Sequence, residues 1–207
     1  MDTAPLAIVW PCRLSVAEYA AAAKRIDVPA QACPDCGVAL TGWSGYWRWL
    51  RDRTVHRVWV RRGRCRACRR THALLPDLVH ERRLDVVDVI GAALERSISG
   101  HGMRRVAAGM DVPVSTARDW RRRHRARAPA ILALFAELAV RLGDDLADLP
   151  AAVEAAALAA LAAAWARARD RLPGGIGGMW RFWDAVCGGR ALGTNTGPRL
   201  GSARSPG

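Results

Sequence analysis

The segment MRRVAAGMDVPVSTARDWRRRHRAR, residues 103–127, predicts two helices joined by a tight turn. Its first part repeats apolar residues every three or four positions, as one face of an α-helix does: Met103, Val106, Ala107 and Met110. Pro113 interrupts this pattern because it lacks an amide proton and disfavours helical angles at the preceding residue. Ser115 is the predicted N-cap of the second helix, since its hydroxyl can accept from an amide two or three residues later.

The second helix has an apolar face and a strongly basic face. Ala117, Trp120 and His124 recur at spacings of three and four, while arginines occupy the opposite side. This pattern is typical of a helix-turn-helix, whose second helix enters the DNA major groove. The alternative is an ordinary helical hairpin with a solvated arginine face.

The charge distribution points to a polyanionic partner. The chain has a formal net charge of +13, and this excess lies in residues 41–128, while the remaining segments are together close to neutral. Nucleic acid is a better candidate than a membrane surface, because no basic amphipathic helix with an aromatic face is evident.

Four cysteines occur as two CxxC pairs, Cys33 with Cys36 and Cys65 with Cys68. Two residues between cysteines allow both thiolates of a turn to reach one ion, so two such turns predict one structural, tetrahedral Zn²⁺ site. The alternative is a redox or structural cysteine set without metal. His72 could replace a cysteine and His56 lies mid-strand, but neither is included in the predicted site.

The residues between and after the cysteine pairs predict three β-strands. Residues 46–50, 54–60 and 71–75 alternate apolar and polar positions and are rich in aromatic and β-branched side chains. We therefore expect a zinc ribbon. Its interleaved arginines and tryptophans could bind phosphate and stack on bases, although we expect most of the tryptophans to form the core.

The remaining segments are predicted to be helical. Ser15 and Glu18 form a predicted capping box at the start of a short helix within residues 1–30. Residues 84–98 form a helix capped by Asp85, and residues 131–142 and 150–172 form a helical hairpin suited to dimer contact. Residues 173–178 form a flexible joint, and residues 179–186 form a last short helix. The predicted fold class is mainly α with a small β zinc ribbon, in which a three-helix helix-turn-helix domain is followed by a helical hairpin. Five parts are expected: 1–30 with one short helix, 31–79 as the ribbon, 80–128 as the helix-turn-helix domain, 129–187 as a helical region and 188–207 as a disordered tail.

Three segments carry a resemblance to known proteins: CPDCG at 33–37, CRACRRTHALLP at 65–76 and VAAGMDVPVSTARDW at 106–120. Together they resemble the N-terminal DNA-binding half of bacterial insertion-sequence transposases, and more closely a family of small uncharacterised bacterial proteins that carry this module alone. The resemblance implies that Cys33, Cys36, Cys65 and Cys68 bind zinc. It also implies that residues 115–123, including Ser115, Thr116 and Asp119, lie in the major groove.

The chain differs from such transposases after Arg127. They continue into an RNase H-like domain with three separated acidic residues and two metal ions, whereas the last 80 or so residues here are Ala-rich and helical in pattern. We therefore expect a protein that is not an enzyme and that binds duplex DNA as a transcriptional regulator or transposase accessory. Arg118 and Arg122 are the expected base readers, and five arginines are the expected phosphate contacts: Arg104, Arg105, Arg121, Arg123 and Arg125.

Two other functions remain open from the sequence. The chain could be a relic or DNA-binding subunit of a transposase that needs a separate catalytic chain, or, as a weaker alternative, a zinc-ribbon RNA binder. The expected partners are double-stranded DNA, a second copy bound through the C-terminal helices, and a transposase. A cytoplasmic, nucleoid-associated location is expected, because residues 1–10 lack signal-peptide features and Glu154 interrupts the most apolar helical segment.

Overall fold

The computed structural model describes residues 7–171 and 177–192, which form six α-helices and a four-stranded mixed sheet. These residues divide into two compact units. The first contains residues 7–89 and 177–189, and the second contains residues 90–171 and 190–192. The sheet belongs to the first unit, and the longest helices belong to the second.

The sheet has the strand order β1-β4-β3-β2. Its strands are β1 (Ala7–Trp10), β2 (Leu40–Arg51), β3 (Val55–Cys65) and β4 (Thr71–Pro76). β2 and β3 form a long antiparallel hairpin, β3 pairs antiparallel with β4, and β1 pairs parallel with β4. β2 is therefore an edge strand.

Helix α1 (Val16–Ala22) begins with the capping box predicted by its sequence. The Glu18 amide donates to the Ser15 hydroxyl, and the Ser15 amide donates to the Glu18 carboxylate. Tyr19 of α1 is fully buried, and its hydroxyl donates to the Trp59 carbonyl of β3 at 3.0 Å. The core of this unit is apolar and includes Trp10, Tyr19, Leu50, Val58, Val60 and Leu75.

Four further helices carry most of the remaining structure. α2 spans Val87–Ile98, α3 spans Met103–Met110, α4 spans Val114–Arg141 and α5 spans Val153–Ala168. Asp111 caps the C-terminus of α3 in a left-handed conformation with φ 53°, and Pro113 then precedes the first residue of α4. The sixth helix, α6 (Met179–Val186), has the bounds predicted from the sequence and belongs to the first unit.

The predicted fold class is wrong. β1 joins the three predicted strands through parallel pairing, so the chain has a four-stranded mixed sheet rather than a small zinc ribbon. α4 is one helix of 28 residues, so no three-helix domain ends near residue 128 before a separate hairpin. A short strand that pairs with a distant segment has no local signal beyond four apolar residues.

Pro129 lies inside α4 instead of ending the helix. Proline in a helix interior costs about 3 kcal/mol because it removes one backbone hydrogen bond and crowds the preceding turn. Buried side chains continue on both sides of it, from Trp120 and His124 through Ala128 to Ile131 and Phe135. Burial of this stripe, worth about 1.5–3 kcal/mol for each large apolar side chain, offsets the proline.

Two predicted helix caps are also wrong. Ser115 lies inside the first turn of α4, after Pro113 at the N-cap position, and makes no capping hydrogen bond. Asp85 precedes α2 and instead accepts from Arg51 at 2.7 Å. The proposed five-part division remains a prediction, and most of the predicted joint at 173–178 and the predicted tail at 188–207 lie outside the described residues.

No helix within residues 7–171 and 177–192 is both long and apolar enough to cross a membrane.

Candidate functional site

The β2–β3 hairpin brings the two CxxC pairs together. Leu40, at the start of β2, pairs with Cys65, at the end of β3. The turn that contains Cys33 and Cys36 precedes Leu40, and the turn that contains Cys68 follows Cys65, so both turns lie at the open end of the hairpin. The hairpin therefore spans the long sequence gap between the pairs.

Backbone hydrogen bonds shape both cysteine turns. In the first turn the Gly37 amide donates to the Cys33 carbonyl at 2.9 Å, and Gly37 has φ 71°, a conformation that favours glycine. In the second turn the Cys65 amide donates to the Arg70 carbonyl at 2.9 Å. These bonds hold the backbone of each turn next to its cysteines.

The four cysteine sulfurs lie close enough together to hold one metal ion. Cys33 Sγ is 3.6 Å from Cys68 Sγ, Cys36 Sγ is 3.4 Å from Cys65 Sγ, and all four sulfurs lie within 4.8 Å of one another. A tetrahedral ion with metal–sulfur bonds of 2.3 Å requires sulfur–sulfur distances of about 3.8 Å. The cluster is therefore compatible with a four-cysteine metal site.

The surroundings of the thiols favour ionisation of one of them. The Cys68 amide donates to the Cys65 sulfur and lowers the pKa of Cys65 to about 7. The Arg70 amide lowers the pKa of Cys68, but burial and the neighbouring Cys33 thiol outweigh it and raise that pKa to about 12. Four thiolates repel one another without a cation, so metal binding is expected to displace protons from this cluster.

His72 is part of the surroundings of the cluster, although it was not included in the predicted site. Its Nε2 atom lies 3.7 Å from Cys33 Sγ, and the residue is 2% exposed. His72, Cys33 and Asp35 also present ligand atoms within 4.8 Å of one another. His72 lies on β4. The feature of the sequence that could have indicated it is its position four residues after Cys68.

Three arginines of the predicted DNA-binding surface are exposed and unpaired. Arg104 and Arg105 lie on α3, and Arg118 lies on the second turn of α4. Across residues 7–171 and 177–192, no hydrogen bond or ion pair involves any of these three guanidinium groups. They remain available to an external anion.

The other predicted DNA-contacting arginines are paired with acids. Asp119 accepts from Arg122 and from Arg123, each at 2.6 Å. Glu154 of α5 accepts from Arg125 at 3.3 Å and lies 3.9 Å from Arg121. The sequence did not predict these pairs, and they reduce the positive charge that these four arginines present.

The N-terminal part of α4 is held by its apolar face. Ser115 is exposed and Thr116 is half-buried, whereas Ala117, Trp120 and His124 are buried. The predicted inward face is thus confirmed. Burial lowers the pKa of His124 to about 4, so its imidazole is neutral at physiological pH.

The hairpin exposes more aromatic surface than its sequence predicted. Trp43 and Trp49 are each 58% exposed, Trp47 is 36% exposed and Trp59 is half-buried. The expectation that most hairpin tryptophans form the core is therefore wrong. β2 is an edge strand, so its side chains have a neighbouring strand on one side only.

Comparisons with known proteins identify one relationship. Residues 33–120 match the family model of a domain of unknown function, DUF6431. The matched segment begins at the first cysteine of the cluster and ends at Trp120 in α4, so it includes the hairpin and α3. This part of the chain, less than half of its length, is similar to that family. No curated protein and no solved structure matches the chain.

Proposed function

We propose that this protein binds duplex DNA through α3 and the N-terminal part of α4. The observation that carries the proposal is the group of exposed, unpaired arginines on these two consecutive helices: Arg104, Arg105 and Arg118. Exposed arginines bind phosphates without sequence preference and can also bind guanine in the major groove with two hydrogen bonds.

The roles of the arginines follow from their positions. Arg118 and Arg122 lie one helical turn apart on α4 and are the proposed base readers, with Arg122 oriented by Asp119. Arg104 and Arg105 on α3 are the proposed phosphate contacts. Arg123, Arg121 and Arg125 contribute less than their sequence predicted, because each is already close to a carboxylate.

We further propose that the ion held by the four cysteines is Zn²⁺ with a structural role. Thiolates are soft ligands, and a tetrahedral set of four favours zinc or iron over magnesium or calcium. Four protein ligands leave no open coordination position for a substrate or a reactive water. The ion would then fix the open end of the hairpin and take no part in catalysis, in keeping with a binding protein rather than an enzyme.

The proposed biological role is that of a transcriptional regulator or an accessory of a mobile element, acting in the cytoplasm on the nucleoid. The relation to transposases rests on the sequence resemblance alone. Self-association through the C-terminal helices likewise remains a prediction. A symmetric DNA site would support self-association, because the symmetry of half-sites mirrors that of the bound protein.

The proposal can be tested by measuring duplex affinity as a function of salt. Each lost phosphate contact lowers the magnitude of the logarithmic salt slope by about 0.9. We expect the Arg104→Ala/Arg105→Ala double variant to lower this slope by about 2. Arg141→Ala is the matched control, because Arg141 lies about 35 Å from Arg118 along the same helix. Equal slopes for all three proteins would contradict the proposed interface.

A further inference from the structure

The edge strand β2 exposes four aromatic side chains to solvent, and two of them, Trp47 and Trp49, share one face. Trp43, Trp47 and Trp49 are 58%, 36% and 58% exposed, and Tyr46 between them is 38% exposed. Exposed tryptophans concentrated on one strand are uncommon and mark binding surfaces more often than solvated ones. The proposed duplex interface on α3 and α4 makes no use of them.

The hairpin register places arginine beside these rings. Trp49 pairs with Arg57 and Trp47 pairs with Trp59, so these four side chains share one face of the two strands. The Arg57 guanidinium lies 4.9 Å from the centre of the Trp47 ring, and the Arg64 guanidinium lies 4.5 Å from the centre of the Trp43 ring. Trp47, Trp49 and Arg57 therefore form one surface, whereas Arg64 alternates to the opposite face of β3 and Trp43 lies with it.

A glycine positions the central pair of rings. A Cβ atom on Gly45 would lie 2.4 Å from the Trp59 ring, so only glycine allows this ring to lie so close to β2. The Trp59 ring in turn meets the Trp47 ring edge-on, with centres 5.2 Å apart. The Trp47 ring is thus held in a defined orientation while more than a third of the residue stays exposed.

The charge of the hairpin selects an anionic partner. Residues 40–65 contain seven arginines and a single acid, Asp52, which lies in the turn between the strands. A hydrophobic surface of a protein partner would have no anionic groups to match these arginines. A nucleic-acid strand with unpaired bases offers both complementary features, phosphates for the arginines and flat rings for the tryptophans.

We propose that the β2–β3 hairpin binds single-stranded nucleic acid, with bases stacked on Trp47 and Trp49 and a phosphate bound by Arg57. Trp47 and Trp49 are two residues apart, or about 7 Å along the strand. At a stacked rise of about 3.4 Å per nucleotide, this length corresponds to about two nucleotides. The surface is separate in sequence from α3 and α4, so the inference does not depend on the duplex interface.

Stacking of a base on a tryptophan ring is stronger than the cation–π contact that an arginine makes with that ring. Stacking of one base on an aromatic ring strengthens binding by about 5- to 150-fold, whereas an exposed cation–π contact corresponds to about 2- to 5-fold. A base on Trp47 can therefore displace Arg57 from that ring, and the released guanidinium can bind the adjacent phosphate. Trp49 makes no ring or cation contact within the described residues, so it needs no such displacement.

The test is titration of the full-length protein with 12-nucleotide oligothymidylate and oligouridylate, neither of which forms base pairs with itself. Binding is followed by tryptophan fluorescence and by anisotropy of labelled strands. We expect quenching of the tryptophan signal, and at least about 5-fold weaker binding for Trp49→Ala and for Trp47→Ala. Trp49→Phe should retain most of the affinity.

Val55→Ala is the matched control, because Val55 is 57% exposed on the same hairpin. Comparison of the two oligonucleotides distinguishes DNA from RNA.

The outcomes separate this inference from the duplex proposal. Arg118→Ala should weaken duplex binding and leave single-strand affinity unchanged. Trp49→Ala should weaken single-strand binding and leave duplex affinity unchanged. Absence of single-strand binding, or equal affinity of Trp49→Ala and the parent protein, would overturn the inference. A third result would also overturn it: quenching of tryptophan fluorescence as the protein is concentrated without any oligonucleotide. In that case a second copy of the chain would cover β2.

Discussion

Glu154 of α5 accepts a hydrogen bond from Arg125 of α4, with Nε and Oε1 3.3 Å apart, and also lies 3.9 Å from Arg121. One carboxylate therefore offsets two arginines of the surface that was predicted to contact DNA. Glu154 is 17% exposed, so solvent screens these pairs only in part. The positive charge available to DNA is consequently smaller than the sequence implies.

Replacement of Glu154 by glutamine should strengthen duplex binding. The change releases Arg121 and Arg125 for phosphate contact, so the magnitude of the logarithmic salt slope should rise by about 1 to 2. Glu137→Gln is the matched control, since it makes the same charge change and frees Arg141 near the other end of α4. Equal effects of the two variants would indicate a response to net charge alone.

Replacement of Asp119 by asparagine should lower sequence preference. Asp119 accepts from Arg122 and Arg123 at 2.6 Å, and the neutral amide would hold neither guanidinium as firmly. Loss of one oriented contact to a base should reduce the affinity ratio between a selected and a scrambled duplex by about 10-fold. Competition binding measures this ratio. An unchanged ratio would show that Asp119 does not orient a base-reading arginine.

Removal of the metal should disrupt the sheet more than the helices of the second unit. All four cysteines lie in the first unit, at the open end of the β2–β3 hairpin. We expect chelation, or Cys65→Ser, to lower metal content and to shift tryptophan emission to longer wavelength while much of the helical circular dichroism remains. Cys12→Ala is the control, since Cys12 is buried outside the cluster. Full metal content in Cys65→Ser would contradict the four-cysteine site.

Stability should fall below pH 6.5 because of His124. Burial lowers its pKa from the ordinary value of 6.5 to about 4, so the unfolded chain takes up a proton in this range and the folded chain does not. Linkage then predicts that stability is greatest above pH 6.5 and decreases by up to about 3 kcal/mol as pH falls to about 4. The free energy of unfolding of His124→Leu, measured with denaturant, should lack this decrease between pH 6.5 and about 4. Parallel pH profiles for the two proteins would refute the assignment.

Local patterns predicted the elements that depend on neighbouring residues. The CxxC spacing indicated the cysteine cluster, Ser15 and Glu18 indicated the start of α1, and the apolar repeat that includes Val106 indicated α3. Each signal is contained within a few residues, or, for the cluster, in two short turns of the same kind. These features could be derived from the sequence alone.

Features that depend on distant segments could not be derived in this way. The pairing of Ala7 with Ala73 is specified by no local motif, and the persistence of α4 through Pro129 depends on burial over its whole length. The pairing of Arg125 with Glu154 joins residues 29 positions apart. The number of arginines can be counted in the sequence, but which of them remain unpaired depends on the fold.

The most direct test of the duplex proposal is selection of bound duplexes from a random DNA pool by the zinc-loaded protein at near-physiological salt. Arg118→Ala and Arg141→Ala are selected in parallel. We predict that the parent protein and Arg141→Ala enrich the same motif and that Arg118→Ala loses at least one base position of it. Enrichment of no motif by the parent protein, or of an identical motif by Arg118→Ala, would contradict the proposal that α4 reads DNA.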